Sequence, residues 1–170
     1  MSEDYGECIN HIDYSTNIDP DLLLNILTGK EDAVKKSHGL EHPKVLKSTE
    51  EDNVFVYYMD HGGPGICVVV DDYLEEPQLI AAIQEMHDKH MYKNLVFYFE
   101  ACYSGSMFVN LPAGLNVYAF TGADADHSAL MSSCPPYDIV GGKHLKTCLS
   151  AYYDDAWEDF AEWVCPPSRL

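Results

Sequence analysis

With 170 residues, 46% of them hydrophobic and 12% aromatic, the chain can bury one substantial core, so a single domain is expected over residues 1–170. A net charge of -18 with only ten lysines and arginines argues against a nucleic-acid partner, because phosphate affinity needs clustered basic residues. No segment reads as a membrane span, and Met1-Ser2-Glu3-Asp4-Tyr5-Gly6-Glu7-Cys8 lacks the basic and apolar regions of a signal peptide. In chain order, the first predicted element is a helix with Asp19 as cap, Pro20 in its first turn, Leu22, Leu23, Ile26 and Leu27 as its apolar face, and Gly29 at its exit. Val54-Phe55-Val56-Tyr57-Tyr58-Met59 reads as a buried strand leading into Asp60-His61-Gly62-Gly63. Gly65-Ile66-Cys67-Val68-Val69-Val70 offers a short strand, and Pro77 to Met91 carries Leu79, Ile80, Ile83 and Met86 at helical spacing. A second buried strand, Leu95-Val96-Phe97-Tyr98-Phe99, runs into Glu100-Ala101-Cys102-Tyr103-Ser104-Gly105-Ser106. Val117-Tyr118-Ala119-Phe120 predicts another core strand, and Trp157 to Trp163 a closing amphipathic helix stopped by Pro166 and Pro167.

Strand, helix, strand predicts parallel strands that are neighbours or near neighbours in one sheet, where adjacent strands lie roughly 4.8 Å apart, with their C-terminal ends on one edge. That edge carries the ligand crevice in open α/β sheets, so His61 and Cys102, each just past a strand, are candidates for a cysteine-histidine dyad. An ordinary thiol titrates near about 8.5 and is mostly protonated at neutral pH, and an adjacent imidazole can take its proton. The plainer reading is a buried apolar cysteine and a satisfied loop histidine. Gly62, Gly63 and Gly105 weigh toward the dyad, because glycines permit tight turns whose backbone N–H groups can face a substrate and form an oxyanion hole.

Six cysteines, Cys8, Cys67, Cys102, Cys134, Cys148 and Cys165, lack paired C-x-x-C spacing, so neither a zinc site nor a disulfide framework is expected. Asp124-Ala125-Asp126-His127 has metal-ligand residue types, but carboxylates in a glycine-bounded loop are more often solvated, and no metal is predicted.

The segments Tyr58-Met59-Asp60-His61-Gly62, Met91-Tyr92-Lys93, Phe97 to Met107, Leu111-Pro112 and Asn116-Val117-Tyr118-Ala119 resemble, in order, the legumains, or asparaginyl endopeptidases, of the hemoglobinase type. Cys148-Leu149 and Ala156-Trp157-Glu158-Asp159 keep that family's spacing, and the resemblance runs from about Asp13 to about Asp159. It implies a caspase-like α/β/α sandwich with a mainly parallel sheet, needing no cofactor and acting on a peptide or protein substrate. It further implies Cys102 as nucleophile, His61 as general base, the Gly62 and Cys102 amides as oxyanion donors, and Glu100 and Ser128 in a pocket selecting asparagine. The compartment implied is the lysosome or vacuole, with a cytoplasmic location the expectation if the protein begins at Met1.

Two departures from the family qualify this. Ser150-Ala151 stands where legumains have glycine-aspartate, so selection for asparagine is expected to change. The family's leading strands, with an asparagine that orients the histidine and a pocket arginine, have no counterpart, nor does its last helix and strand. The chain is therefore expected to be a catalytic domain truncated at both ends with little activity alone. The alternatives are an inactive remnant or interaction protein and a relative of the glycolipid-anchor transamidase; the glutamate-alanine-cysteine string favours legumain.

Overall fold

The computed structural model describes residues 18–39 and 41–164. The readings made of Met1 to Cys8, Cys165, Pro166 and Pro167 lie outside these residues.

Three parallel strands form the central sheet: β1 (Asn53–Met59), β5 (Asn94–Glu100) and β6 (Val117–Thr121), in the order β1-β5-β6. β5 is central, and its period-two pattern sends Leu95, Phe97 and Phe99, all at most 1% exposed, to one face. The opposite face carries Val96, Tyr98 and Glu100. The expected crossover is present as α3 (Glu76–Asp88), with Leu79, Ile83 and Met86 buried against the Phe97 face. Its start is a capping box, in which Gln78 accepts from the Glu75 N–H while the Glu75 side chain accepts from the first turn. The helix ends at Asp88 rather than Met91, and His90 takes the left-handed conformation that turns the chain toward β5.

On the same side lies α1 (Pro20–Leu27), whose cap is Asp19, accepting the Leu22 N–H at 2.7 Å as its sequence predicts. A second helix, α2 (Glu31–His38), buries Val34 alone, so its apolar periodicity is too sparse to read from sequence. Lys30 Nζ joins Glu85 at 2.7 Å and Lys89 Nζ donates to the Thr28 carbonyl, tying the end of α1 to the end of α3. The other face of the sheet is covered by α4 (Tyr152–Val164), which starts five residues before the expected Trp157. Trp157 packs on Tyr98, Tyr57 and Phe55 with ring centroids 5.4, 5.6 and 6.5 Å apart. The result is the α/β class expected, with helices on both faces of a mainly parallel sheet.

Three smaller sheets accompany it among the described residues. β2 (Gly62–Gly63), β3 (Ile66–Val69) and β4 (Asp72–Glu75) form an antiparallel meander, of which only β3 was legible as a strand. β7 (Met131–Ser132) pairs antiparallel with β10 (Ser150–Ala151), and between them β8 (Ile139–Val140) and β9 (Lys143–His144) make a hairpin. One expectation is corrected here: Cys134 and Cys148 form a disulfide. The β7–β10 register pairs Ser132 with Ser150, and two residues farther out the same register brings Cys134 opposite Cys148. A pairing set by strand register leaves no local spacing motif.

Because Phe97 is 1% exposed between α3 and the neighbouring strands, Phe97→Ala is expected to cost about 3–5 kcal/mol in urea unfolding. Tyr118→Ala, on edge strand β6 with the side chain 54% exposed, is expected to cost less than about 1 kcal/mol in the same assay.

Candidate active site

The register of β1 against β5 builds the site. Met59 is paired with Glu100, the last residues of the two strands, and the Asp60 N–H still donates to the Glu100 carbonyl at 3.2 Å. His61 and Cys102 each follow two residues beyond that last pair, so both chains leave the sheet at the same level. A cavity of about 300 Å³ opens there, lined by Met59, Asp60, His61, Glu100, Ala101, Cys102, Ala129, Met131 and Ala151. His61 is exposed and Cys102 is a half-buried free thiol. The other described free thiol, Cys67, is fully buried and its burial pushes it up to about 11, as suits an inert core cysteine.

The two loops are held together by backbone contact. A side-chain carbon on Gly62 would overlap the Cys102 carbonyl oxygen and lie 3.0 Å from Ala101 Cβ, so only glycine permits this approach. The Val68 N–H donates to the His61 carbonyl at 2.9 Å, which makes those two the hydrogen-bonded pair of the β2–β3 ladder. Gly62, one residue on, therefore turns its N–H away from β3, and β2 is an edge strand with no neighbour on that side in its sheet.

Serines after the cysteine supply ties that the sequence reading left without a role. Ser106 Oγ donates to the Tyr103 carbonyl at 2.6 Å and accepts the Gly65 N–H at 2.8 Å, linking the cysteine loop to the turn after His61. Ser104 Oγ accepts the Ala123 N–H at 3.0 Å, and the Tyr103 N–H donates to the His127 carbonyl at 2.8 Å. The Asp124–His127 loop thus supports the cysteine loop. Within it Asp124 accepts from the Asp126 N–H and then from the His127 ring, which holds the Asp124 carboxyl below its ordinary range.

Glu100 lies on the cavity at 4% exposure, its carboxyl occupying the space a side chain on Gly122 would need. Oε2 is buried without a hydrogen-bond partner among the described residues. Burial, then the charge of Asp154, pushes the Glu100 carboxyl up to about 7. Ala151 lines the cavity and is 1% exposed. Ser128 is exposed and lies next to Ala129, which lines the cavity while Ser128 itself does not.

A half-buried thiol and an imidazole on one cavity, at the C-terminal edge of a parallel sheet, is the arrangement of a cysteine-dependent hydrolase fold. The Peptidase C13 family model matches residues 2–163, and the chain belongs to that family. It is 43% identical to a legumain of Rattus norvegicus over 141 residues, 83% of this chain and 30% of that protein. It is 39% identical to a vacuolar-processing enzyme of Vicia sativa over 138 residues, 80% of this chain and 27% of that protein. A legumain of Homo sapiens is 42% identical over 83% of this chain and 30% of its own length. The chain therefore spans about a third or less of the curated relatives it matches.

The raised Glu100 value carries a stability consequence. Below its ordinary value of 4.5 the carboxyl is protonated folded or unfolded and contributes no difference; between 4.5 and about 7 the unfolded chain ionises while the folded one keeps its proton. Native stability is lost across that window, and the deficit is constant above it. Glu100→Gln escapes this penalty, so its melting temperature relative to the parent is expected to climb between those two pH values and then level off.

Proposed function

We propose that this chain carries the catalytic centre of a legumain-type cysteine endopeptidase, with Cys102 as nucleophile and His61 as general base. The observation that supports this most is the matched exit of the two residues from paired strands into one cavity. His61 takes the thiol proton as Cys102 Sγ attacks the scissile carbonyl carbon, and the carbonyl electron pair moves onto oxygen. The Gly62 N–H, which the β2–β3 register turns away from β3, and the Cys102 N–H donate to that oxyanion in this reading. Collapse of the tetrahedral species breaks the C–N bond, the departing amine takes the proton from His61, and an acyl-enzyme remains on Cys102. Water, deprotonated by His61, then attacks the thioester and releases the acid.

The side chain before the cut enters the cavity beside Glu100, whose unpartnered oxygen suits a carboxamide such as asparagine. Ser128 is proposed at the rim of the same pocket, and Ala151 leaves it wider than an acidic residue would. The substrate is a peptide or protein. A lysosomal or vacuolar setting agrees with the Cys134–Cys148 disulfide, which belongs to an oxidising route, and with an acidic surface that acid would partly neutralise.

Incubation with a fluorogenic asparagine peptide, followed by intact-mass measurement after acid quench, tests this reading. The expected result is slow turnover, as the sequence leads one to expect, with an acyl adduct on Cys102, no adduct in Cys102→Ser, and a rate lowered further, by about 10²–10⁴-fold, in His61→Ala. Turnover that survives Cys102→Ser would overturn it.

A further inference from the structure

We infer that Ser106 is a positioning residue for the Cys102–His61 pair: its hydroxyl holds the left-handed turn that follows Cys102 and fixes that turn to the hairpin that follows His61. The claim about rate rests on the peptidase reading above; the alignment of the two side chains does not.

Tyr103, directly after Cys102, has a φ of 57°, a left-handed backbone that a bulky residue adopts only when its surroundings impose it. It leads the chain into the short 3₁₀ turn Ser104–Phe108. Both backbone groups of Tyr103 are restrained. Its N–H donates to the His127 carbonyl at 2.8 Å, and its carbonyl accepts twice from Ser106, from the N–H at 2.8 Å and from the hydroxyl at 2.6 Å. The conformation of the residue beside the thiol therefore depends on Ser106.

A hydroxyl has one proton to give and lone pairs to receive. The Tyr103 carbonyl can only accept, so the Ser106 proton points there and a lone pair is left for the Gly65 N–H at 2.8 Å. Gly65 turns the β2–β3 hairpin with a φ of +72°, and its own carbonyl accepts the Glu76 N–H at 2.9 Å at the start of α3. From that turn the pairs Gly63–Ile66 and Gly62–Cys67 run back to His61, whose carbonyl accepts the Val68 N–H. Ser106 Oγ thus joins the turn beside the thiol to the hairpin beside the imidazole.

Ser106 is 8% exposed and is not among the residues lining the cavity, so its effect passes through the backbone rather than through substrate. The strand register holds the two chains level only as far as Met59 and Glu100. Beyond that pair, removing the hydroxyl takes one of two donors from the Tyr103 carbonyl and the acceptor from the Gly65 N–H, and both loops gain freedom to shift. Alignment suffers while the pocket walls stay in place.

The test uses Ser106→Ala together with Ser106→Val and Ser106→Thr, two side chains of one shape of which only threonine keeps the hydroxyl. Thr28→Val, which removes a buried hydroxyl bonded to the Leu24 carbonyl in α1, is the control for a general loss of stability. Amide exchange at Gly65 is expected to quicken by about tenfold or more in the alanine and valine variants and to stay within about threefold of the parent in Ser106→Thr. The yield of a dibromoacetone bridge between His61 and Cys102 is expected to fall by about half or more in the same two variants. With an asparagine peptide, their kcat is expected to drop about tenfold or more while KM stays within about twofold, and Ser106→Thr to recover most of the loss. If the larger side chains do not fold, Ser106→Ala against the parent and Thr28→Val decides alone.

Unchanged Gly65 exchange in Ser106→Ala would overturn the tie. Faster exchange with an undiminished bridge, no bridge in the parent, or an equal loss in Ser106→Thr or Thr28→Val would overturn the positioning role. Absence of turnover in a parent that still forms the bridge would count against the peptidase reading and the rate claim alone, while the bridge yields still decide the alignment.

Discussion

Everything at the candidate site depends on the parallel register of β1 and β5. Seven residue pairs, from Asn53 with Asn94 to Met59 with Glu100, hold the two strands level, and the chain then runs two residues to His61 on one side and to Cys102 on the other. A slip of one residue would turn Glu100 from the cavity face to the Phe97 core and put Phe99 in its place. The buried alternation of Leu95, Phe97 and Phe99 opposes that slip, because burial of three large side chains would be lost with it. The core is thus what fixes the chemistry.

Past the sheet, precision comes from small residues. Gly62 lets the histidine loop rest directly on the Cys102 backbone, and Gly122 makes room for the Glu100 carboxyl. Ser106 bridges the Tyr103 carbonyl and the Gly65 N–H, so both loops share one hydrogen-bonded tie. Displacing a catalytic group by about 1 Å can cost on the order of a hundredfold in rate, which gives such packing a functional weight beyond its few contacts. The Cys134–Cys148 disulfide does the same for the far wall, just outside the β7–β10 pair that contributes Met131 and Ala151.

How much of this was legible in the sequence depends on how local each signal is. The strands ending at Met59 and Phe99 and the helix between them were readable because long apolar runs and Leu79, Ile83 and Met86 repeat at their own periods. Asp19 and Pro20 marked α1 through capping chemistry confined to four residues. By contrast β4, Asp72–Glu75, holds one buried side chain, Leu74, and exists because it pairs with β3. The disulfide and the Tyr57–Asp154 hydrogen bond were hidden for the same reason, since each joins residues that only strand register or helix docking brings together. Glu100 was marked by the resemblance of the Glu100-Ala101-Cys102 string to the legumains; nothing near Asp154 in the chain distinguished it from Asp155 beside it.

The central claim is that Cys102 Sγ and the His61 ring face each other across one cavity in the folded protein. Dibromoacetone measures this directly, since it alkylates an accessible thiol first and then bridges to a nucleophile within about three carbons' reach. Peptide mapping by mass spectrometry after brief treatment is predicted to find His61 and Cys102 joined by the three-carbon bridge, with buried Cys67 untouched. A product alkylated at Cys102 but bridged elsewhere, or not bridged at all, would contradict the account.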